Sequence, residues 1–313
     1  MSEPYNTVIY KLAKDNESDF ITEENWYLLR HIKMIGKKMG TNYGFVHHPS
    51  FTSAMYKPLM RNKKMRTNAD IKIAVDLWCR NRAKAEEQYG HISDWNMSCV
   101  TDMSYLFRQP NYQENPSEVE LNLRIGLGVI NFNDNISHWD VSNVTNMNRM
   151  FSGAQSFNQP IGDWDVSKVT NMSYMFCLAS NFNKQIGNWD VSNVTNMECM
   201  FSDAHTFNQP IGDWNVSKVT NMREMFFRTQ SFNQPIGNWD VSNVTNMGAM
   251  FSKASDFNQP VENWNVSNVT NMCGMFCRTQ SFNQPVGNWN ISNVCETNFM
   301  FYDARAFNQP FLY

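Results

Sequence analysis

Nowhere in the 313 residues does a run of about 18 apolar residues occur, and the opening MSEPYNTVIYKLAKDNESDF has no basic flank leading into an apolar core. Neither a membrane-spanning helix nor a secretory leader is expected, so a location inside the cell is favoured. Charge is sparse as well, at 18% of residues. Residues 91–313 hold 11 Lys and Arg against 19 Asp and Glu. That balance provides no clustered cations for a phosphate backbone, and no nucleic-acid partner is expected. Residues 1–90 lean the other way, with 15 cations against 10 anions, and their densest cluster, Arg61, Lys63, Lys64 and Arg66, reads as a solvated loop.

Chemistry-bearing patterns are missing too. The seven cysteines (Cys79, Cys99, Cys177, Cys199, Cys273, Cys277, Cys295) are odd in number and form no paired CxxC framework. Cys273 and Cys277 would supply only two ligands of a zinc site. The histidines His31, His47, His48, His91, His138 and His205 make no HExxH, there is no P-loop, and Gly126-Leu127-Gly128 lacks the third glycine of a dinucleotide loop. No catalytic residue, metal or cofactor is nominated, and the chain reads as a non-enzyme.

What the chain has in abundance is repetition. Trp139, Trp164, Trp189, Trp214, Trp239, Trp264 and Trp289 stand 25 residues apart, and Trp95 precedes them by one period plus 19. Phe107 and Phe132 place the extra residues in the segment RQPNYQENPSEVELNLRIGLGVIN, 108–131. With Phe157 as position one, a copy carries Phe, Asn, Pro at four, Ile or Val at five, Gly at six, Trp at eight, Val at ten and Ser at eleven. Val at thirteen, Asn at fifteen, Met at sixteen and nineteen, Phe at twenty and often Ala at twenty-three complete it.

Alternating Trp-Asp-Val predicts a short strand with Trp and Val inward and Asp outward. Val169, Met172, Met175, Phe176 and Ala179, spaced by three and four, predict a short helix with Ser173 and Tyr174 outward. A strand and a helix in 25 residues match one turn of a leucine-rich-repeat-like solenoid, and one copy is too small to fold alone. The expected fold is therefore an α/β repeat solenoid, one short parallel strand and one short helix per copy, with a small mainly helical N-terminal region. Residues 1–67 are set apart, with an amphipathic helix over 22–38. Residues 68–90 form a capping helix in which Ile71, Val75, Trp78 and Ala85 cover the first copy and Asn68 or Asp70 lies near the N-cap. About eight copies occupy 91–313, and Phe311-Leu312-Tyr313 reads as an aromatic cap.

The consensus F-N-Q-P-I-G-N-W-D-V-S-N-V-T-N-M-x-x-M-F resembles the BspA-like branch of the leucine-rich-repeat superfamily, found in bacterial surface lipoproteins, giant DNA viruses and unicellular algae. The resemblance covers about residues 91–313. It implies a right-handed solenoid and adhesion or protein binding. The missing lipobox fits an intracellular or virus-encoded member better than a surface lipoprotein.

Candidate binding residues follow from the expected strand. Position nine projects outward as Asp140, Asp165, Asp190, Asn215, Asp240, Asn265 and Asn290, a polar ladder with steps of about 4.8 Å. It is either an acidic surface for a protein or glycan or a set of side chains bonded to the following turns. Asn158, Asn183, Asn208 and Asn233, at position two, are expected to satisfy backbone. The insertion is the most individual segment and a second candidate for binding. Two functional readings stand: an interaction or adhesion scaffold, or an adaptor of the ubiquitin-ligase kind whose activity or recruitment lies in residues 1–90.

Overall fold

The computed structural model describes residues 65–108 and 128–310. The helix expected over 22–38, Arg61, Lys63 and Lys64, the histidines at 47–48, nearly all of the insertion and the closing Phe311-Leu312-Tyr313 lie outside the described residues. The chain divides after Asn62, and the features below belong to the unit Lys63–Tyr313.

This unit opens with β1 (Met65–Thr67), α1 (Ile71–Arg80) and α2 (Arg82–Tyr89), followed by a 3-10 turn at Ile92–Asp94 and β2 (Asn96–Cys99). The Asp70 carboxylate accepts from the Thr67 amide at 2.8 Å and its hydroxyl at 3.1 Å and pairs with Arg66 at 2.9 Å. These bonds set the turn into α1. Over 68–90 there are two helices, because Asn81 leaves helical backbone. Its amide closes α1 on the Leu77 carbonyl at 2.8 Å, and its side chain caps α2 at the Lys84 amide at 3.1 Å.

Ile71, Val75 and Trp78 of α1 and Ala85 of α2 are buried, and Trp78 meets Trp95 of the first copy edge-on at 6.0 Å. Arg66, expected in a solvated loop, is only 3% exposed. Its guanidinium sits 4.8 Å from the Tyr89 ring centre and 5.3 Å from that of Trp95. Aromatic faces offset part of what a cation loses on leaving water.

A copy buries up to nine apolar positions, illustrated by Phe157, Ile161, Trp164, Val166, Val169, Met172, Met175, Phe176 and Ala179, none more than 4% exposed. The inward residues agree with the apolar pattern, but the backbone does not. No helix runs through 169–179 or its equivalents. Two turns follow one another, closed by Met175 N–H to Met172 C=O at 3.2 Å and Ala179 N–H to Phe176 C=O at 3.0 Å. The third residue of each has positive φ, Tyr174 at 58° and Leu178 at 62°, as type II turns require. Linked turns of four residues reproduce the three-and-four spacing of a helix, so one pattern serves both. Ser173, expected outward, is buried.

The strand is displaced as well. Parallel bridges join position fifteen of one copy to the next, from Asp102 through Asn146, Asn171, Asn196, Asn221, Asn246 and Asn271 to Glu296, and bypass Trp-Asp-Val. Only in the first copy do positions nine to twelve form a strand, β2, because β1 lies beside it in parallel register.

Spacing decides against helices. Met172, Tyr174, Phe176 and Leu178 donate their amides to Asn196, Glu198, Met200 and Ser202 of the next copy at 3.0, 2.7, 2.9 and 2.8 Å. Ring centres of Phe151 and Phe176, one copy apart, are 5.6 Å apart. Packed helices need axes about 8–10 Å apart and spend their amides internally. Helices on every copy would break these bonds. The same closeness selects glycine at position six, where a Cβ on Gly212 would lie 2.4 Å from the Pro235 carbonyl oxygen of the next copy. Glu262 departs from that rule, and its Oε2 is buried without a hydrogen-bond partner. Among the described residues no helix is long and apolar enough to cross a membrane.

Backbone strain at the positive-φ positions is testable. A Cβ at Gly274 (φ 62°) finds its nearest neighbour 3.7 Å away, so space is not limiting. Gly274→Ala is expected to cost about 1 kcal/mol through backbone conformation alone, and Ala249→Gly, at the equivalent position one copy earlier, to recover a few tenths. Urea unfolding measures both; no loss at Gly274 would refute the strain. A second expectation concerns Asp76 on α1, whose carboxyl desolvation pushes up to about 6 against the pull of Arg80. The native state then disfavours the ionised form, so the stability this group contributes at low pH is lost as pH rises through about 6. Asp76→Asn should raise Tm at about pH 7 and leave it unchanged at about pH 3.5.

Candidate interaction surface

Asp140, Asp165, Asp190, Asn215, Asp240, Asn265 and Asn290 are exposed and fall in one column, one copy apart, between buried Trp and Val neighbours. They are not on a bridged strand. Each Oδ1 accepts from the amide two residues on, as in Ser167 to Asp165 at 3.0 Å, Ser217 to Asn215 at 3.2 Å and Ser292 to Asn290 at 3.2 Å. Asn96 does the same for Ser98 at 3.0 Å, which extends the column by a copy that the sequence reading left out. This local turn needs an acceptor oxygen and no charge, which accounts for the interchange of Asp and Asn along the column. Bonds from Ser167 and Ser192 hold the carboxyls of Asp165 and Asp190 below the usual carboxylate range; in Asp190 the neighbouring charge of Asp165 opposes this.

Other repeated polar columns are also consumed by structure. Asn158 Oδ1 accepts from the Asn183 amide at 3.0 Å, and the bond recurs up to Asn308 on Asn283 at 2.9 Å. Thr170 donates both its amide, at 2.9 Å, and its hydroxyl, at 3.2 Å, to the Thr145 carbonyl of the preceding copy. The indoles from Trp164 to Trp289 do likewise, Trp189 Nε1 donating to the Ile161 carbonyl at 3.0 Å.

Several columns do not repeat, four of them on the paired turns and others just after, as in Gln155, Ser180, His205 and Gln230 at position twenty-four. Positions seventeen, eighteen, twenty-one and twenty-two, on the paired turns, carry Asn148, Arg149, Ser152 and Gly153 in one copy, and Arg223, Glu224, Phe227 and Arg228 three copies later. They carry a mosaic. Arg223 pairs with Glu198 at 3.1 Å and with Glu224, Arg228 pairs with Asp203 at 3.2 Å, and Lys253 lies 5.4 Å from the Phe227 ring centre. The three-and-four spacing places these residues on an expected helix, and none of them is among the candidates the sequence offers. The signal was available in their variation among copies of one chain.

Nothing in the described residues gathers three His, Cys, Asp or Glu side chains as a metal site. A cavity of about 350 Å³ beside α1 is lined by Trp78, Cys79, Arg82, Gly128 and Phe132. Burial pushes the Cys79 thiol up to about 12, so it is not a thiolate at neutral pH. The neighbouring Asp134 carboxylate is taken by Trp78 at 2.9 Å and Arg82 at 2.6 Å.

Residues 80–120, 125–236 and 207–312 match the family described as Mycoplasma protein of unknown function, DUF285. The chain belongs to this family. Two of its DUF285 matches overlap over 207–236, as happens when a model of several copies can be laid on a periodic array in more than one register. The matches are consistent with the BspA-like repeat. No curated protein and no solved structure matches the chain.

The turn role of position nine predicts how its variants behave. Asp165→Asn keeps the Oδ1 acceptor and should be near neutral, whereas Asp165→Ala should lose up to about 1 kcal/mol. Carboxyls held low contribute stability above the usual carboxylate range that is lost as pH falls through their folded values. Replacing Asp165, Asp190 and Asp240 together by Asn should therefore flatten the acid limb of a thermal denaturation series. An unchanged limb would refute the assignment.

Proposed function

We propose that this DUF285 chain is a non-enzymatic interaction scaffold, a leucine-rich-repeat-like solenoid that presents a graded surface to a protein or glycan. The observation that carries this reading is the contrast between columns. Those that repeat are committed to core, to copy-to-copy bonds or, at position nine, to their own turn, while most of those free to differ lie on or just after the paired turns. Loops on a rigid frame suit recognition, and the frame here has few internal degrees of freedom because each copy bonds both neighbours. The column Asp140 to Asn290 contributes an exposed polar margin to that surface. Beside α1, the Cys79 thiol is held protonated by burial and the Asp134 carboxylate is engaged by Trp78 and Arg82.

The adaptor reading rests on the opposite charge balance of residues 1–90. Both are tested by affinity capture with the intact chain followed by cross-linking and mapping of the linked residues. Links concentrated in 91–313 are the expected result. Links confined to 1–90 would transfer the role to that region and overturn the scaffold reading.

A further inference from the structure

One end of the variable face is built unlike the rest. Positive-φ backbone favours glycine, yet the two positive-φ columns of the array keep thirteen residues with side chains beside only Gly153 and Gly274. Strained conformations that persist across an array point to a use for the side chains they carry. In the middle of the face these side chains satisfy each other, since Glu198 and Glu224 share Arg223 and Asp203 holds Arg228. At the end nearer α1 they do not.

There, position eighteen of three consecutive copies reads Tyr105, Arg149, Tyr174. The Arg149 guanidinium lies 3.9 Å from the ring centre of Tyr174 and 6.0 Å from that of Tyr105, and it makes no ion pair among the described residues. The Tyr174 hydroxyl donates to Glu198 at 3.2 Å, which fixes the ring on which the guanidinium stacks. Stacking leaves the N–H edges of a guanidinium available and pre-orders the fork that a carboxylate fits. Exposed apolar side chains stand on the same paired turns, with Tyr105 44% exposed and Leu178, four residues after Tyr174, 45% exposed.

We propose that Tyr105, Arg149, Tyr174 and Leu178 form a docking surface for an acidic protein segment, one that places a carboxylate on Arg149 and an adjacent apolar side chain against Tyr105 or Leu178. Charge decides among partners. Phosphate-dense polymers need extended arrays of cations, and this patch offers a local guanidinium site instead. The Arg149 guanidinium framed by Tyr174, with Arg108 5.3 Å from the ring centre of Tyr105 beside it, suits a carboxylate in a short segment. This inference rests on the scaffold reading and narrows it to one patch and one chemistry.

The test is selection from a displayed random dodecapeptide library on the intact chain, followed by fluorescence anisotropy of the most enriched peptide. Enriched peptides are expected to pair Asp or Glu with a large apolar residue and to bind more weakly as salt rises. Arg149→Gln should weaken binding by about tenfold or more. Leu178→Asp should do so from the opposite chemistry, and Lys84→Gln, on the outer face of α2, should change nothing. Arg149→Lys, which keeps the charge and loses the fork, should fall between. Thermal denaturation confirms that each variant is folded. Failure to enrich acidic peptides, or affinity indifferent to both Arg149→Gln and Leu178→Asp, overturns the patch. Captured partners cross-linking elsewhere on 91–313 would leave the scaffold reading standing while removing this one.

Discussion

The structure depends on backbone hydrogen bonds that run from each copy to the next in parallel register. Alternate amides from position sixteen to twenty-two donate forward, and the position-fourteen amide donates back to the copy before. Bonds of about 2.9 Å repeated at so many points hold neighbouring copies at strand spacing, about 4.8 Å. Every other feature of the array follows from that distance. Helices are too wide for it, glycine is selected where one copy's carbonyl passes over the next, and identical rings stack from copy to copy, Phe157 on Phe182 at 5.9 Å and Trp264 on Trp289 at 6.4 Å.

Register makes repetition obligatory in some columns and irrelevant in others. A residue that bonds its own equivalent one copy away, as the position-two Asn and position-fourteen Thr do, has to recur in every copy for the ladder to continue. A residue that only caps its own turn needs the right acceptor and tolerates exchange, so Asp and Asn alternate at position nine. A side chain on the paired turns pairs with its equivalent through varied chemistry, Arg228 with Asp203 and Arg223 with Glu198, so no one residue has to recur and the copies diverge. Family membership in DUF285 describes the array.

Asn81 and Arg66 show the same logic at the start of the array. The first copy has no preceding copy to cover its rings, and α1, α2 and the buried guanidinium do so with side chains that appear nowhere in the consensus. β1 completes the cover by supplying a parallel neighbour to β2, the one place where positions nine to twelve become a strand.

By itself the sequence determined the period, the copy boundaries, the inward set from Phe157 to Ala179 and the outward placement of the position-nine column, because burial leaves an apolar signature whatever the backbone does. Only the tertiary structure decided that the second half of each copy is a pair of turns and that the bridges pass through position fifteen. It also decided that position nine serves its own turn and that Tyr105, Arg149 and Tyr174 meet. A spacing of three and four is common to a helix and to linked four-residue turns. The choice between them is made by the neighbouring copy, whose carbonyls accept the amides that a helix would have kept for itself.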